Sequence, residues 1–405
     1  MTMKRIPLIL LIVLILFSTF FFTYLCWQRH KALFNYEYID LAEIINISWN
    51  TAQGRIFYQT INPNPYGVFV LHIQPIILFI SIFFVIFNHP ISVYIGFNFA
   101  LAIAALPLYL LAKNILKSSN IALGIAAAYL FYAPLKSMYL LSDPDPILLA
   151  VPFLFLFFYF LIQKNYNMCA ISVIFILACG EYMGLLISTV GIYLLLMKHY
   201  RNLGITLMFG GIAYTFLAAR LIDISGIYNH EGLYSFLKYN TFTENLKFIV
   251  FHPVKFSLHI LQYKHLFFIS NSLKPVLFLP LCSPEFYIVL PVFFQIFLCK
   301  RAIEFGRAYY AAPLVPLMFI AIVFFFKRLR DSLTFLSGKT KQRVIGITTG
   351  LLLFSCLYSN FVPNILGYLR EDRLNNKDFY NVKNIYEKRF YQMDKKAKVA
   401  WELIN

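Results

Sequence analysis

Charged residues are scarce in this chain, and their scarcity argues against a soluble protein. Only 13% of its 405 residues are Asp, Glu, Lys or Arg, whereas 60% are hydrophobic and the mean hydropathy is +0.69. Soluble domains ordinarily carry about 25% charged residues. The composition predicts a protein that crosses a membrane many times, in which the 18 acidic residues are candidates for ion binding, proton transfer or catalysis.

Motifs of nucleotide-dependent and hydrolytic enzymes are also lacking. The chain has no glycine-rich phosphate loop, no dinucleotide glycine fingerprint, no His-Glu-x-x-His and no Gly-x-Ser-x-Gly. We therefore expect neither a nucleotide cofactor nor an ATP-driven machine.

The six cysteines form no Cys-x-x-Cys pair and lie in or beside apolar segments. This placement predicts small core residues rather than metal ligands or disulfides.

The net charge of +17 is spread over loops rather than gathered on one face. A bias of Lys and Arg toward cytoplasmic loops accounts for this distribution. We therefore expect no nucleic-acid partner. The basic residues can also contact the anionic lipid of the bilayer or a phosphate-bearing substrate.

Long apolar runs predict an all-α, polytopic transmembrane bundle. A span needs about 20 apolar residues, and about ten or eleven runs qualify, at residues 6–27, 67–87, 91–112, 121–141, 146–163, 168–197, 202–219, 265–283, 286–299, 309–326 and 344–363. Pro134 breaks the fourth run and Gly180-Glu181 interrupts the sixth; four prolines divide the eighth and ninth: Pro275, Pro280, Pro284 and Pro291. Broken helices persist in membranes only where protein or a cavity covers the freed backbone.

Basic loops predict the orientation of the bundle. Six bases and one acid lie within residues 327–343, which we therefore place in the cytoplasm. Lys4 and Arg5 place the N-terminus there as well. The membrane domain then covers residues 1–363, and a short polar tail, 364–405, is extracytoplasmic. Residues 28–66 form the first external loop and residues 221–264 a second external segment.

Asp40 begins a partial helical stripe of apolar residues in the first loop. Apolar residues at 41, 44, 45 and 47 predict a short amphipathic helix on the membrane surface. An aspartate at such a position ordinarily serves as an N-cap. A carboxylate at the membrane edge can also hold a cation, carry a proton or take part in chemistry.

Three further polar sites interrupt apolar sequence. Asp143-Pro144-Asp145 suits a turn and a helix start, although two close carboxylates can also hold a divalent cation such as Mg²⁺ or Mn²⁺, or orient sugar hydroxyls. Glu181 lies within an apolar run and requires a partner, a membrane edge or a proton. His72 begins the second run, where a bond to backbone would explain it equally well. Grouping these acids on one side of the membrane requires that segments 121–141 and 168–197 be re-entrant or broken.

An ordered series of segments runs through the chain: Asp40-Leu41 with Trp49–Thr60, His72 with Pro75, Leu106–Ala112, Ala128–Leu130, Gly180-Glu181, Leu281–Glu285 and Tyr309–Pro313. Taken in order, these segments resemble a family of polytopic membrane proteins known as domain of unknown function 2079, in the GT-C-like glycosyltransferase group. The likeness covers roughly residues 36–320 and, weakly, 397–400.

The resemblance implies a GT-C-like bundle that transfers a sugar from a polyprenyl-phosphate-linked donor to a lipid, glycan or protein acceptor on the outer face of the plasma membrane. Asp40 would be the general base. The remaining implied substrate-binding residues are Asp143, Asp145, Glu181, His72, Arg55, Arg307 and Tyr310, with Asp143 and Asp145 as candidate metal ligands and the two arginines as candidates for the donor phosphate.

Two departures keep other functions open. The family tends to have Asp-Phe-His-Pro-Glu where this chain has Ser142-Asp143-Pro144-Asp145-Pro146, and it often has lysine where this chain has Gly180. A transporter or flippase for a lipid-linked saccharide or polar lipid would also use broken helices and membrane-edge acids. The third hypothesis is that the chain is a catalytically inactive relative with a scaffolding role.

Overall fold

The described part of the molecule is entirely helical. The computed structural model describes residues 6–31, 38–61, 72–140, 144–197, 200–224, 242–298 and 308–371, and no strand occurs among them. The α-helices are α1 (Ile6–Lys31), α2 (Tyr38–Ala52), α3 (Ile77–Ile86), α4 (Ile91–Ile103), α5 (Ala105–Leu116), α6 (Ser119–Leu130), α7 (Ala133–Leu140), α8 (Ala150–Ile162), α9 (Tyr166–Leu177), α10 (Met183–Leu196), α11 (Arg201–Ile224), α12 (Phe242–Phe251), α13 (Pro253–Ile260), α14 (Tyr263–Leu273), α15 (Leu290–Leu298), α16 (Leu314–Ser332) and α17 (Gly338–Glu371).

Short 3₁₀ helices join several of these elements. They cover Pro146–Leu149, Lys274–Val276, Leu279–Cys282, Pro284–Ile288, Ala308–Ala311 and Leu333–Phe335. Three of them replace regular helix between α14 and α15, where each has a proline in its first turn. Proline lacks the N–H that an α-helix interior requires, so the predicted interruption of the eighth and ninth apolar runs is confirmed.

Four helical stretches of the described chain are long and apolar enough to cross a membrane. They are Ile6–Gln28, Ile91–Leu116, Arg201–Ile222 and Tyr309–Phe335, and the bent pair α6 and α7 adds a fifth if it forms one span. The remaining apolar helices, such as α9 and α10, are shorter. The protein therefore has several candidate spans, and the larger number of ten or eleven crossings stays a prediction.

The two predicted breaks in single apolar runs are both present. The run over 121–141 bends by 44° between α6 and α7, and Pro134 lies in the first turn of α7. The run over 168–197 divides into α9 and α10, with Gly180 and Glu181 in the turn between them. Both breaks place polar backbone inside a helical bundle, where neighbouring side chains must satisfy it.

Helix α16 lies at the centre of the bundle and α11 at its edge. Most of the α16 span is buried, whereas little of the α11 span is. Phe319 of α16 lies 5.5 Å, ring centroid to centroid, from both Tyr129 and Tyr132. The Tyr132 hydroxyl donates to the carbonyl of Ser272 over 2.6 Å, which joins the α6–α7 break to the end of α14.

Glycines bring α10 and α11 into backbone contact. A Cβ on Gly211 would lie 2.3 Å from the carbonyl oxygen of Gly184, and a Cβ on Gly191 would lie 2.8 Å from that of Gly204. Small residues of this kind allow helices in a membrane to approach closely. The pair α10–α11 therefore holds the turn at Glu181 against a neighbouring helix.

Some predicted boundaries and placements differ. A helix is present in this stretch, α2, with Leu41, Ile44 and Ile47 buried, and its location on the outer membrane surface stays a prediction. It begins two residues before Asp40. That residue lies in the first turn and is not the N-cap. Helix α17 continues to Glu371, past the predicted end of the membrane domain at 363. Among the described cysteines, four are buried as predicted and Cys282 is exposed.

Candidate functional site

Glu181 is a buried carboxylate at the break between α9 and α10. Its side chain is 12% exposed, and its Oε1 lies 3.0 Å from Nδ1 of His72, whose side chain is 33% exposed. The backbone N–H of Ile73 donates to Oε2 over 3.4 Å. A buried carboxylate needs such partners, because an unpaired charge in an apolar interior is strongly disfavoured. Here the partners come from a segment more than a hundred positions earlier.

Neighbouring elements hold this break in place. The N–H of Ile76 donates to the carbonyl of Ala178 over 3.1 Å, which fixes the start of α3 against the end of α9. From α11, the Tyr214 hydroxyl donates to the Leu177 carbonyl (2.7 Å) and the Thr215 hydroxyl to the Glu181 carbonyl (3.3 Å). These bonds satisfy carbonyls that lose their helical partners at a helix end.

Gly180 has a backbone that favours glycine. Its φ is +154°, and an added Cβ would lie 3.1 Å from the ring of Tyr182. A larger residue here, lysine included, would therefore strain the backbone and crowd that ring.

Tyr182 lies near three polar residues: Asp145, Glu181 and Tyr310. Asp145 is half-buried and caps the 3₁₀ helix Pro146–Leu149, its Oδ1 accepting from the N–H of Ile147 over 2.8 Å. That 3₁₀ helix packs against the one that contains Tyr310. The rings of Tyr182 and Tyr310 lie 6.3 Å apart, and Tyr182 is close enough to Asp145 and Glu181 to interact electrostatically with both.

The C-terminal end of α1 lies at the same end of the bundle. The ring of Phe22 stacks on Tyr139 of α7 at 4.1 Å, and the Cys26 thiol donates to the Tyr139 carbonyl. Helix α7 also packs against the 3₁₀ helix that contains Tyr310. Helix α2 follows α1 after a short connection and packs against α3, and it carries Asp40. Its backbone lies in the first turn of α2; its side chain is outside the described residues.

The other predicted residues are distributed as follows. Arg55 lies on the loop after α2, where its side chain is exposed. Asp143 and Arg307 lie outside the described residues. Within the described ranges, no group of three or more His, Cys, Asp or Glu side chains could hold a metal ion. The candidate cation site at Asp143 and Asp145 therefore stays a prediction.

Two features were not assigned a role from sequence. Tyr182 resembles an ordinary core aromatic within an apolar run.

Glu285 is bound by Arg328 in a bidentate pair, with N–O distances of 2.5 and 2.8 Å, and its side chain is 5% exposed. Ser283 donates to the same carboxylate. The segment Leu281–Glu285 stood out in the sequence, but nothing there indicated its partner.

The Glu181 end of the bundle combines three kinds of group: the carboxylates of Asp145 and Glu181, an imidazole, and paired tyrosine rings. Carboxylates and imidazole can accept hydrogen bonds from hydroxyl groups or move protons, and tyrosine rings offer apolar faces with a polar tip. Such a site suits a neutral polyhydroxylated ligand better than an anion. We name it the Glu181 site: His72, Asp145, Glu181, Tyr182 and Tyr310.

A family model described as a predicted membrane protein, DUF2079, matches residues 29–384. No curated protein and no solved structure matches the chain.

Proposed function

The chain belongs to the DUF2079 family of predicted membrane proteins, and from this premise we propose that it is an integral-membrane glycosyltransferase of GT-C type. It transfers a sugar from a polyprenyl-phosphate-linked donor to a lipid, glycan or protein acceptor. The reaction takes place on the extracytoplasmic face of the plasma membrane, with the N-terminus in the cytoplasm and the C-terminal tail outside.

The observation that carries the proposal is the Glu181 site. It combines carboxylates, an imidazole and tyrosine rings in a helical membrane bundle, beside the start of α3, the helix against which α2 with Asp40 packs. A lipid-linked donor keeps its chain in the bilayer and its sugar at the interface. Hydrogen-bonding carboxylates and aromatic faces at one end of the bundle suit that sugar, and no nucleotide site is needed.

In the proposed reaction Asp40 is the general base. Its carboxylate takes the proton from the acceptor hydroxyl while the acceptor oxygen attacks the anomeric carbon. The bond from that carbon to the donor phosphate breaks, and polyprenyl phosphate leaves with the electron pair. Asp143, Asp145 and the Glu181–His72 pair bind sugar or acceptor hydroxyls, and Tyr310 contacts the sugar ring. Arg55 and Arg307 are the candidates for the phosphate.

The test is sugar transfer in membranes that contain the full chain. Polyprenyl-phosphate-linked hexoses and pentoses with labelled sugars are supplied, and label leaving the donor is measured. Loss of a general base costs about 10²- to 10⁴-fold, so we expect Asp40→Asn to lose at least about 100-fold. Asp331→Asn, an exposed carboxylate beside Arg330, is the matched control. Equal rates in both variants, or no transfer by the unmodified chain, would contradict the proposal.

One observation favours a second candidate, a transporter for a lipid-linked saccharide. Glu181 lies where α9 and α10 are interrupted, and transporters build their binding sites at such discontinuous helices. The same membranes distinguish the two functions. A transporter would move the saccharide across the bilayer with its bond to phosphate intact, whereas a transferase would cleave that bond. An inactive relative would do neither.

A further inference from the structure

Arg55, on the loop that follows α2, lies within cation–π distance of two aromatic rings. Its guanidinium carbon lies 5.4 Å from the ring centroid of Trp49 and 5.8 Å from that of Tyr58. Cations are attracted to the faces of such rings. The side chain is exposed, but the two rings restrict where its guanidinium can go.

Hydrogen bonds pin the loop itself to α2. The N–H of Thr60 donates to Oδ1 of Asn46 over 2.9 Å, and the Asn46 amide donates to the Thr60 hydroxyl over 3.1 Å. The N–H of Phe57 donates to the Thr51 hydroxyl (3.0 Å), and that of Arg55 to the Asn50 carbonyl (2.9 Å). The backbone is therefore organised before any ligand binds, which reduces the entropy lost on binding.

No carboxylate contacts Arg55 among the residues that the structure describes, and the sequence has no acid between positions 49 and 61. The five N–H donors of a guanidinium lie in its plane, where they suit a carboxylate or a phosphate. Within the described ranges, the neighbours of the Arg55 charge are thus aromatic rings rather than a carboxylate. Three exposed apolar side chains flank it: Trp49, Ile56 and Ile61.

We propose that Trp49, Arg55 and Tyr58 form a clamp for the phosphate of the lipid-linked donor, with Ile56 and Ile61 against its isoprenoid chain. The proposal rests on the proposed function. Arginine binds phosphate through two parallel hydrogen bonds. Bulk anionic lipid is instead attracted by clusters of several bases, whereas this loop carries one positioned cation. The clamp therefore selects a single phosphate over the anionic surface of the bilayer.

Binding is measured with the purified full chain in nanodiscs of phosphatidylcholine. The probe is radiolabelled polyprenyl phosphate, and the comparison ligand is polyprenol, which has the same chain without the phosphate. Unlabelled phosphatidylglycerol in excess is the competitor. We expect the phosphate to bind, the alcohol to bind at least about tenfold more weakly, and phosphatidylglycerol not to displace the probe. Displacement by phosphatidylglycerol would overturn the clamp in favour of bulk anionic lipid.

Two substitutions and a matched control test Arg55. Arg55→Gln should weaken binding about tenfold or more, because it removes charge-assisted hydrogen bonds. Arg55→Lys, which keeps the charge and loses the planar fork, should fall between Arg55→Gln and the unmodified chain. Arg220→Gln is the control, since Arg220 is also exposed and lies 5.4 Å from a ring, that of Phe216. Unchanged affinity in Arg55→Gln, or an equal loss in Arg220→Gln, would overturn the clamp.

Failure of the clamp and failure of the proposed function look different. If the unmodified chain transfers sugar and Arg55→Gln does so with an unchanged KM for the donor, the enzyme stands and the phosphate binds elsewhere. If polyprenyl phosphate binds in an Arg55-dependent way and no sugar is transferred, the clamp stands and the transferase fails. Binding requires no turnover, so each result is read independently.

Discussion

Two buried glutamates lie towards opposite ends of α16 and are partnered in different ways. Glu181 lies near the start of α16, because its neighbour Tyr182 contacts Tyr310, which comes just before that helix. Glu285 is bound to Arg328, which lies near the end of α16. From Leu314, at the start of α16, to Arg328 the helix rises by about 21 Å.

The partners distinguish a structural site from a candidate reactive one. Arg328 is always protonated and binds both oxygens of Glu285, and Ser283 donates to the same carboxylate. Imidazole groups serve as proton donors and acceptors in enzymes, and a third of the His72 side chain is exposed. In a chain with few acids, a carboxylate whose two oxygens are both bound by a permanently charged arginine is best explained as a contribution to the stability of the fold. A carboxylate paired with an exposed imidazole can also exchange protons or bind a ligand.

The largest loss of stability is expected where helix packing holds Glu181. Gly211→Ala places a Cβ 2.3 Å from the Gly184 carbonyl oxygen and 2.8 Å from the Ser188 nitrogen, so α10 and α11 must separate. Overpacking against backbone should cost more than about 3 kcal/mol, measured as thermal unfolding in detergent. Gly210→Ala is the matched control, because nothing lies within 4 Å of its added Cβ. Equal stability in the two variants would refute the close packing of α10 and α11.

A smaller loss is expected when the Glu285 pair is broken, and the two partners should differ. Arg328→Ala leaves Glu285, which is 5% exposed, without its cation, and should cost about 3 kcal/mol, the low end for a buried pair. Glu285→Ala should cost about 1 kcal/mol, because Arg328 is 44% exposed and can turn to solvent. Unfolding temperatures of the two variants give the comparison. A greater loss of stability in Glu285→Ala than in Arg328→Ala would mean that Arg328, and not Glu285, is the charge that depends on the ion pair.

Local sequence patterns predicted the breaks in the helices but not the pairing across them. Pro134 and Gly180-Glu181 interrupt apolar runs, and backbone chemistry alone indicates where those runs must end. The partners of the two glutamates lie 109 and 43 positions away in the chain. Such pairs are fixed by tertiary packing, and no local periodicity encodes them. The need for a partner at Glu181 was predictable, whereas the identity of that partner was not.

The same reasoning explains what was missed. Tyr182 follows Glu181 in an apolar run, and a single aromatic there resembles any core residue. Its position near Tyr310 depends on how the α9–α10 break meets the segment that leads into α16. The placement of Arg55 near Trp49 and Tyr58 depends on the fold of the loop after α2. The sequence indicated a basic residue there, but not that aromatic rings lie near it.

The smallest effect on stability, together with a large effect on function, is expected at Glu181 itself. Glu181→Gln keeps the shape of the side chain and a hydrogen bond to His72, so the free energy of unfolding should change by less than about 1 kcal/mol. It removes the negative charge that can accept a proton or bind a hydroxyl strongly, so sugar transfer should fall about tenfold or more. Glu285→Gln, the matched change at the other end of α16, should lower stability more and leave transfer by the folded fraction unchanged. If Glu181→Gln kept full transfer while Glu285→Gln lost it, the roles assigned to the two glutamates would have to be exchanged.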